Sequence, residues 1–136
     1  MPTGLTADVG WQIGVSRTLD VPISEAWNTV CSPAGVAIWL GRGAVLPSRP
    51  GEPVTTADGG LGELRSLRPF DRVRLRWHEA GWDHPTTIQV AVSGSTAKTV
   101  LRFHQEHLVD EVERERQRDH WRGVLDRMEP LLTERG

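Results

Sequence analysis

The chain has 136 residues, 38% of them hydrophobic and 25% charged, with a formal net charge of −2 and a pI near 6.2. That balance excludes a disordered chain and supplies no general field for gripping nucleic acid, so no nucleic-acid partner is expected. The one cysteine, Cys31, cannot close an internal disulfide, no apolar run nears the ~20 residues of a membrane span, and MPTGLTADVG lacks the basic start and apolar stretch of a signal peptide, so a cytoplasmic setting is expected.

Residues 11–20 alternate, with Trp11, Ile13, Val15, Arg17 and Leu19 on one face, the period of a half-buried strand. Pro22 ends it. Ser24 is a suitable N-cap, and Ile23, Ala26, Trp27 and Val30 follow at helical spacing. Pro33 opens a second short helix with Val36, Trp39 and Leu40 on its apolar side. The Gly- and Pro-rich stretch 41–60 predicts short strands at Ala44–Leu46 and Pro53–Thr56 and a turn at Asp58–Gly60. A meander follows. Leu61–Leu67 is a strand, Arg68–Asp71 a turn, and Arg72–Glu79 a strand with Val73, Leu75 and Trp77 inward and Arg72, Arg74, Arg76 and His78 outward. Thr86–Val92 places Ile88, Val90 and Val92 inward, and Lys98–His107 does the same with Leu101 and Phe103.

Asp110 opens a helix running to about Leu132. Its second half carries an apolar stripe of Trp121, Val124, Leu125, Met128 and Leu131 or Leu132, whereas its first half offers only Val112. The charges of 110–119 read as i,i+4 pairs on a wet face. Segregated helices beside an antiparallel sheet with one polar face define an α+β class. The expected architecture is one domain over 1–136 with its ordered core at about 11–133. A curved sheet of six to seven strands wraps the last helix, leaving a space between the layers where a ligand can sit.

That element order, with VSRTLDVPISEAWNTV, GELRSLRPFDRVRLRWHEA, TAKTVLRFHQEHL and HWRGVLDRMEPLL in place, resembles the START-like helix-grip (SRPBCC) superfamily. The nearest branch is the single-domain bacterial relatives of the activator of the heat-shock-protein-90 ATPase. The resemblance covers about Val15 to Leu132. It implies a hydrophobic cavity for lipids, polyketides or other apolar molecules, usually with no metal or fixed cofactor. Some relatives are aromatases or cyclases and others only bind. Eukaryotic co-chaperone members carry a further docking domain, for which this chain has no room. Many relatives have Gly before the helix Trp where this chain has His120, which would narrow the cavity or add a polar group to its wall.

Candidate ligand contacts follow from the expected faces. Leu75, Trp77, Ile88, Val90 and Phe103 point inward, Trp39 and Trp121 border the space, and Gln105 and His107 continue the stripe of Leu101 and Phe103. Arg17, a cation on an apolar face, either pairs with a carboxylate such as Glu63, snorkels to the rim, or holds a ligand's carboxylate or phenolate. His104 and His107, three apart on a strand, face opposite sides and cannot share an ion, and His78, His84 and His120 lack partners at ligand spacing, so no metal site is expected. The arginines at 65, 68, 72, 74 and 76 read as a solvated surface offset by acids of the last helix. No catalytic set is evident. The expected function is binding of a small apolar molecule without chemistry, by a monomer or weak homodimer. The alternatives are a polyketide cyclase or dehydratase using Arg17, Gln105, His107 and His120, and a co-chaperone-like interaction domain.

Overall fold

The computed structural model describes residues 5–6 and 10–133; residues 1–4 and 7–9 of the stretch weighed above as a signal peptide lie outside it. The chain runs β1 (Leu5–Thr6), β2 (Gly10–Leu19), α1 (Ile23–Cys31), α2 (Pro33–Trp39), β3 (Pro53–Thr55), β4 (Leu61–Arg68), β5 (Arg72–His78), β6 (Thr86–Gly94), β7 (Thr99–Leu108) and α3 (Glu111–Thr133). The strands form one seven-stranded antiparallel sheet in the order β1-β2-β7-β6-β5-β4-β3. This is the expected α+β arrangement, with α1 and α2 inserted after β2 and α3 packed along β2 and β7.

Period-two alternation drives the meander. Val73, Leu75 and Trp77 of β5 stand opposite Val90, Ile88 and Thr86 of β6, and all six side chains are buried. Trp77 lies over Gly62 of β4, where a Cβ would stand 2.1 Å from the Arg76 carbonyl and 2.7 Å from the indole. Only glycine allows that approach.

Several local expectations are revised. Ala44–Leu46 is irregular rather than a strand, in keeping with Gly43 at φ +85° and Pro47 on its flanks. Helix α1 starts at Ile23, so Ser24 lies inside it, and Pro22 occupies the cap position without a side-chain bond. Ser32 does cap α2, accepting the Gly35 N–H at 3.1 Å with Pro33 in the first turn. In α3, Val112 is 67% exposed while Glu113 and Gln117 are buried in its place. The helix's surface ion pairs join Glu115 to Arg118 at i,i+3 and to its neighbour Arg114, not residues four apart. Of the outward arginines, Arg65, Arg68 and Arg74 are offset by Glu63, Asp71 and Glu106, on the sheet and its β4–β5 turn, and not by α3.

Candidate functional site

The space between sheet and α3 is filled by the protein's own side chains. Leu75, Trp77, Val90, Phe103 and Gln105 expose no surface, and Trp39, Ile88 and Trp121 expose 2% or less. A hole able to hold water would leave accessible surface on the groups around it, so no such hole adjoins these eight. An aromatic row occupies the middle. Trp121 stacks on Phe103 at 5.1 Å and 14°, and Trp39 tilts against that ring at 6.4 Å. The Trp39 indole donates to the Val30 carbonyl at 2.9 Å, and Trp77 donates to Glu79 at 3.1 Å.

Gln105 is a buried polar side chain of β7 on this inner stripe, and both its oxygen and its NH2 have partners. Its carbonyl oxygen accepts from Gln117 and from the Trp121 indole, both at 2.9 Å, while its NH2 donates to the Thr86 hydroxyl at 3.0 Å. Thr86 in turn donates to the Trp77 carbonyl at 3.0 Å. Burial without these partners would be costly; with them the amide fixes how α3 sits on the sheet.

Among the described residues, an opening at the sheet–helix boundary lies beside β2. Among the described residues β1 pairs with β2 at positions 10 and 11, and a groove of about 790 Å³ runs between β2 and α3. Its apolar lining is Ile13, Val15 and Leu125, of which Val15 is half-buried and the other two buried, and Arg17, Arg114, Arg118 and Arg122 edge it together with Glu111, Glu115 and Asp126. Arg17 bridges the layers, bonding Asp126 at 2.9 Å and Glu129 at 3.3 Å. Its partners are therefore on α3 and not Glu63, which instead pairs with Arg65 at 3.1 Å. Arg114 donates to the Gln12 carbonyl at 2.8 Å, covering part of the open strand edge. Arg122 has no ion-pair partner among the described residues.

Two expected contacts lie elsewhere. His107 is exposed and has left the inner stripe: β7 has two residues, Glu106 and His107, between Gln105 and Leu108 where β2 has one, Gln12, between Ile13 and Trp11. This β-bulge, with His107 at φ +65°, turns its ring to the outer side beside Arg74, Arg76 and Thr87. His104 is also on that side, 3.4 Å from Glu106, so the rule that placed the two histidines on opposite faces fails at the bulge. His120 is exposed, with its ring edge-on to Trp121 at 4.8 Å. It narrows nothing between the layers; desolvation on its covered side and the charge of Arg127 lower its pKa. Burial raises the Cys31 thiol to about 11, so it is not a thiolate at neutral pH. No three His, Cys, Asp or Glu side chains gather as metal ligands among the described residues.

The sequence reading found Arg17 but missed the rest of the groove. The signal was present in Arg114, Arg118 and Arg122, which recur every four residues and so share one helical face opposite Ile13 and Val15.

A seven-stranded antiparallel sheet gripping a long C-terminal helix, with two short helices after its first long strand, defines a START-like helix-grip protein. Residues 20–133 match the family model described as Activator of Hsp90 ATPase homolog 1-like protein, and the chain belongs to that family. Among solved structures it is similar to DynU16 of the dynemicin biosynthetic locus, with TM-score 0.75 and 22% identity over 90% of this chain and 47% of that one. This chain thus spans about half of DynU16. CalU16 from Micromonospora echinospora superposes with TM-score 0.75 and 18% identity over 88% of this chain and 73% of that one. PFC0360w, an HSP90 activator from Plasmodium falciparum, does so with TM-score 0.75 and 16% identity over 90% and 96%. At these identities the likeness establishes the fold. Among curated proteins, none matches this chain. No helix among the described residues is long and apolar enough to cross a membrane.

Proposed function

We propose that this protein binds a small molecule with an apolar body and an anionic end in the groove between β2 and α3, and performs no chemistry on it. The observation that carries this reading is the groove itself: an apolar lining of Ile13, Val15 and Leu125 lies beside Arg122, a cation with no ion-pair partner among the described residues. An apolar body gains by covering such a lining, and a carboxylate, phenolate or sulfonate gains a charge-assisted hydrogen bond from the guanidinium. The place of DynU16 in a biosynthetic locus fits a small-molecule partner. The buried core refines the expected site. Leu75, Trp77, Ile88, Val90 and Phe103 support the groove from within instead of touching the ligand. A cyclase centre has little support, because Arg17 is in the groove, Gln105 in the core, His107 on the outer sheet face and His120 on the exposed side of α3.

The test is an NMR titration of 15N-labelled protein with 2-naphthoate. Saturable shifts at the amides of Gly14, Ser16, Arg118 and Arg122 are expected, with affinity about tenfold weaker in Arg122→Ala, the order of one charge-assisted bond. Absence of saturable shifts in that strip, or equal affinity in Arg122→Ala, would sink the reading.

A further inference from the structure

The outer face of an antiparallel sheet is ordinarily a ribbed, solvated surface. Here it carries a cleft of about 540 Å³ whose basic side chains are Arg65, Arg74, Arg76 and His107. We propose that this cleft is a second binding site, for a free phosphate-type dianion, separate from the groove on the opposite side of the sheet.

Three features carry the inference. The first is charge. Glu106 holds Arg74 at 2.6 Å, with Gln89 adding a bond at 3.1 Å, and Glu63 holds Arg65 at 3.1 Å. That leaves Arg76 and His107, neither of which has an ion pair or side-chain hydrogen bond among the described residues. Arg76 is exposed and directly opposite Thr87, whose hydroxyl adds a neutral donor at the same spot.

The second feature is preorganisation. The Glu106 side chain is only 11% exposed, so it anchors Arg74 from below instead of competing at the cleft mouth. A guanidinium held this way presents remaining N–H groups in a fixed plane, which matches the oxygens of a phosphate.

The third is the backbone. Without the bulge, strict alternation would put His107 on the inner stripe after Phe103 and Gln105. The extra residue in β7 and the left-handed φ of +65° bring it out to this cleft. Such a conformation is unfavourable for a residue with a side chain, although His tolerates it better than most. Glycine would suit the backbone better, yet it would remove the ring.

That trade provides the test. Inorganic phosphate and phenyl phosphate, in separate arms, are titrated at low ionic strength into the 15N-labelled chain, with Thr87 and Arg76 amides as reporters. Saturable binding is expected in at least one arm, weakened about tenfold by Arg76→Ala and severalfold by His107→Gly. His107→Gly should melt no lower than the wild type, so its loss of binding cannot come from unfolding. Arg122→Ala, on the other side of the sheet, should bind the anion as the wild type does. No saturable shift at Thr87 with either anion, or undiminished affinity in both Arg76→Ala and His107→Gly, overturns the proposal.

Discussion

The two halves of α3 lie on the same sheet but are held there by different physics. From Trp121 onward the helix buries Trp121, Val124, Leu125, Met128 and Leu132, all 3% exposed or less. Each such side chain contributes roughly 1.5–3 kcal/mol by leaving water, with little demand on angle. From Glu111 to His120 the only buried residues are Glu113 and Gln117. That half is fixed by discrete bonds: Gln117 to Gln105, Arg114 to the Gln12 carbonyl, and Glu113 to His84 at 2.7 Å. The Asp110 carboxylate accepts the Glu113 N–H at 2.8 Å, and Glu113 accepts the Val109 N–H at 3.0 Å, so the helix start is capped from both directions. Apolar burial degrades gradually when perturbed, whereas a polar attachment is lost one bond at a time. The second half should therefore report on global stability, and the first half should open locally.

The largest effect is expected at the junction of the two regimes. Trp121→Ala removes the ring stacked on Phe103 and a donor to Gln105 together. It should destabilise the fold by about 3–5 kcal/mol, read as a shift of the urea midpoint. A cost below about 1 kcal/mol would mean that the aromatic row is not what holds the helix.

Gln105→Leu should come next. It deprives Gln117, the Trp121 indole and the Thr86 hydroxyl of partners in a dry interior, a loss of about 2–3 kcal/mol. If the polar half is held as described, hydrogen exchange should speed up at 113–119 well before it does at 124–132. The double variant Gln105→Leu/Gln117→Leu should recover part of the loss, because one of the three unmatched groups, the Gln117 amide, is then gone.

Much of this contrast was legible before any coordinates. The apolar stripe of Trp121 to Leu132 and the alternation of β5 are local patterns, and burial follows from period alone. What escaped was whatever depends on register across distant segments. Gln105 and Gln117 meet across 12 residues and two elements, and nothing in either stretch marks the pairing. One extra residue in β7 turned His107 to the other face, since a slip of one reverses every later side chain. The partners of Arg17 lie 109 and 112 positions away, beyond any local rule. The size of the interior space was invisible for the same reason. Element order predicts two layers with a gap, but only three-dimensional packing reveals that Trp39, Phe103 and Trp121 fill it.

A smaller and pH-dependent effect is expected at the start of α3. Burial disfavours a charged His84 ring, but the hydrogen bonds it donates to Asp83 and Glu113 and their negative charges outweigh it, so the His84 pKa lies above its ordinary 6.5. A ring with a raised folded-state pKa lends its full stabilisation below the ordinary value and loses it as pH rises through the raised one. Intrinsic-rate-corrected exchange at 111–117 should therefore be slowest near pH 6 and faster at pH 8.5. Glu113→Gln should cost about 1 kcal/mol at pH 6 and flatten that profile. An unchanged profile in the variant would show that the His84 contact is not what closes this end.

The smallest effect has the opposite sign and probes how the halves are joined. Gly123 sits inside α3 where the polar first half gives way to the apolar stripe, and a Cβ there would meet nothing within 4 Å. No close approach calls for glycine, and its backbone freedom in the unfolded chain weakens the helix at this point. Gly123→Ala should add about 0.5–1 kcal/mol of stability by helix propensity alone. If the polar half opens by bending near this residue, the substitution should also slow exchange at 111–119 by more than the global gain explains. If instead that half frays from Glu111 inward, exchange there should stay as it was while the urea midpoint still rises. The two results separate a hinged first half from a fraying one, and a hinge at Gly123 would make access to the β2–α3 groove depend on the polar attachments that Gln105 and Glu113 supply.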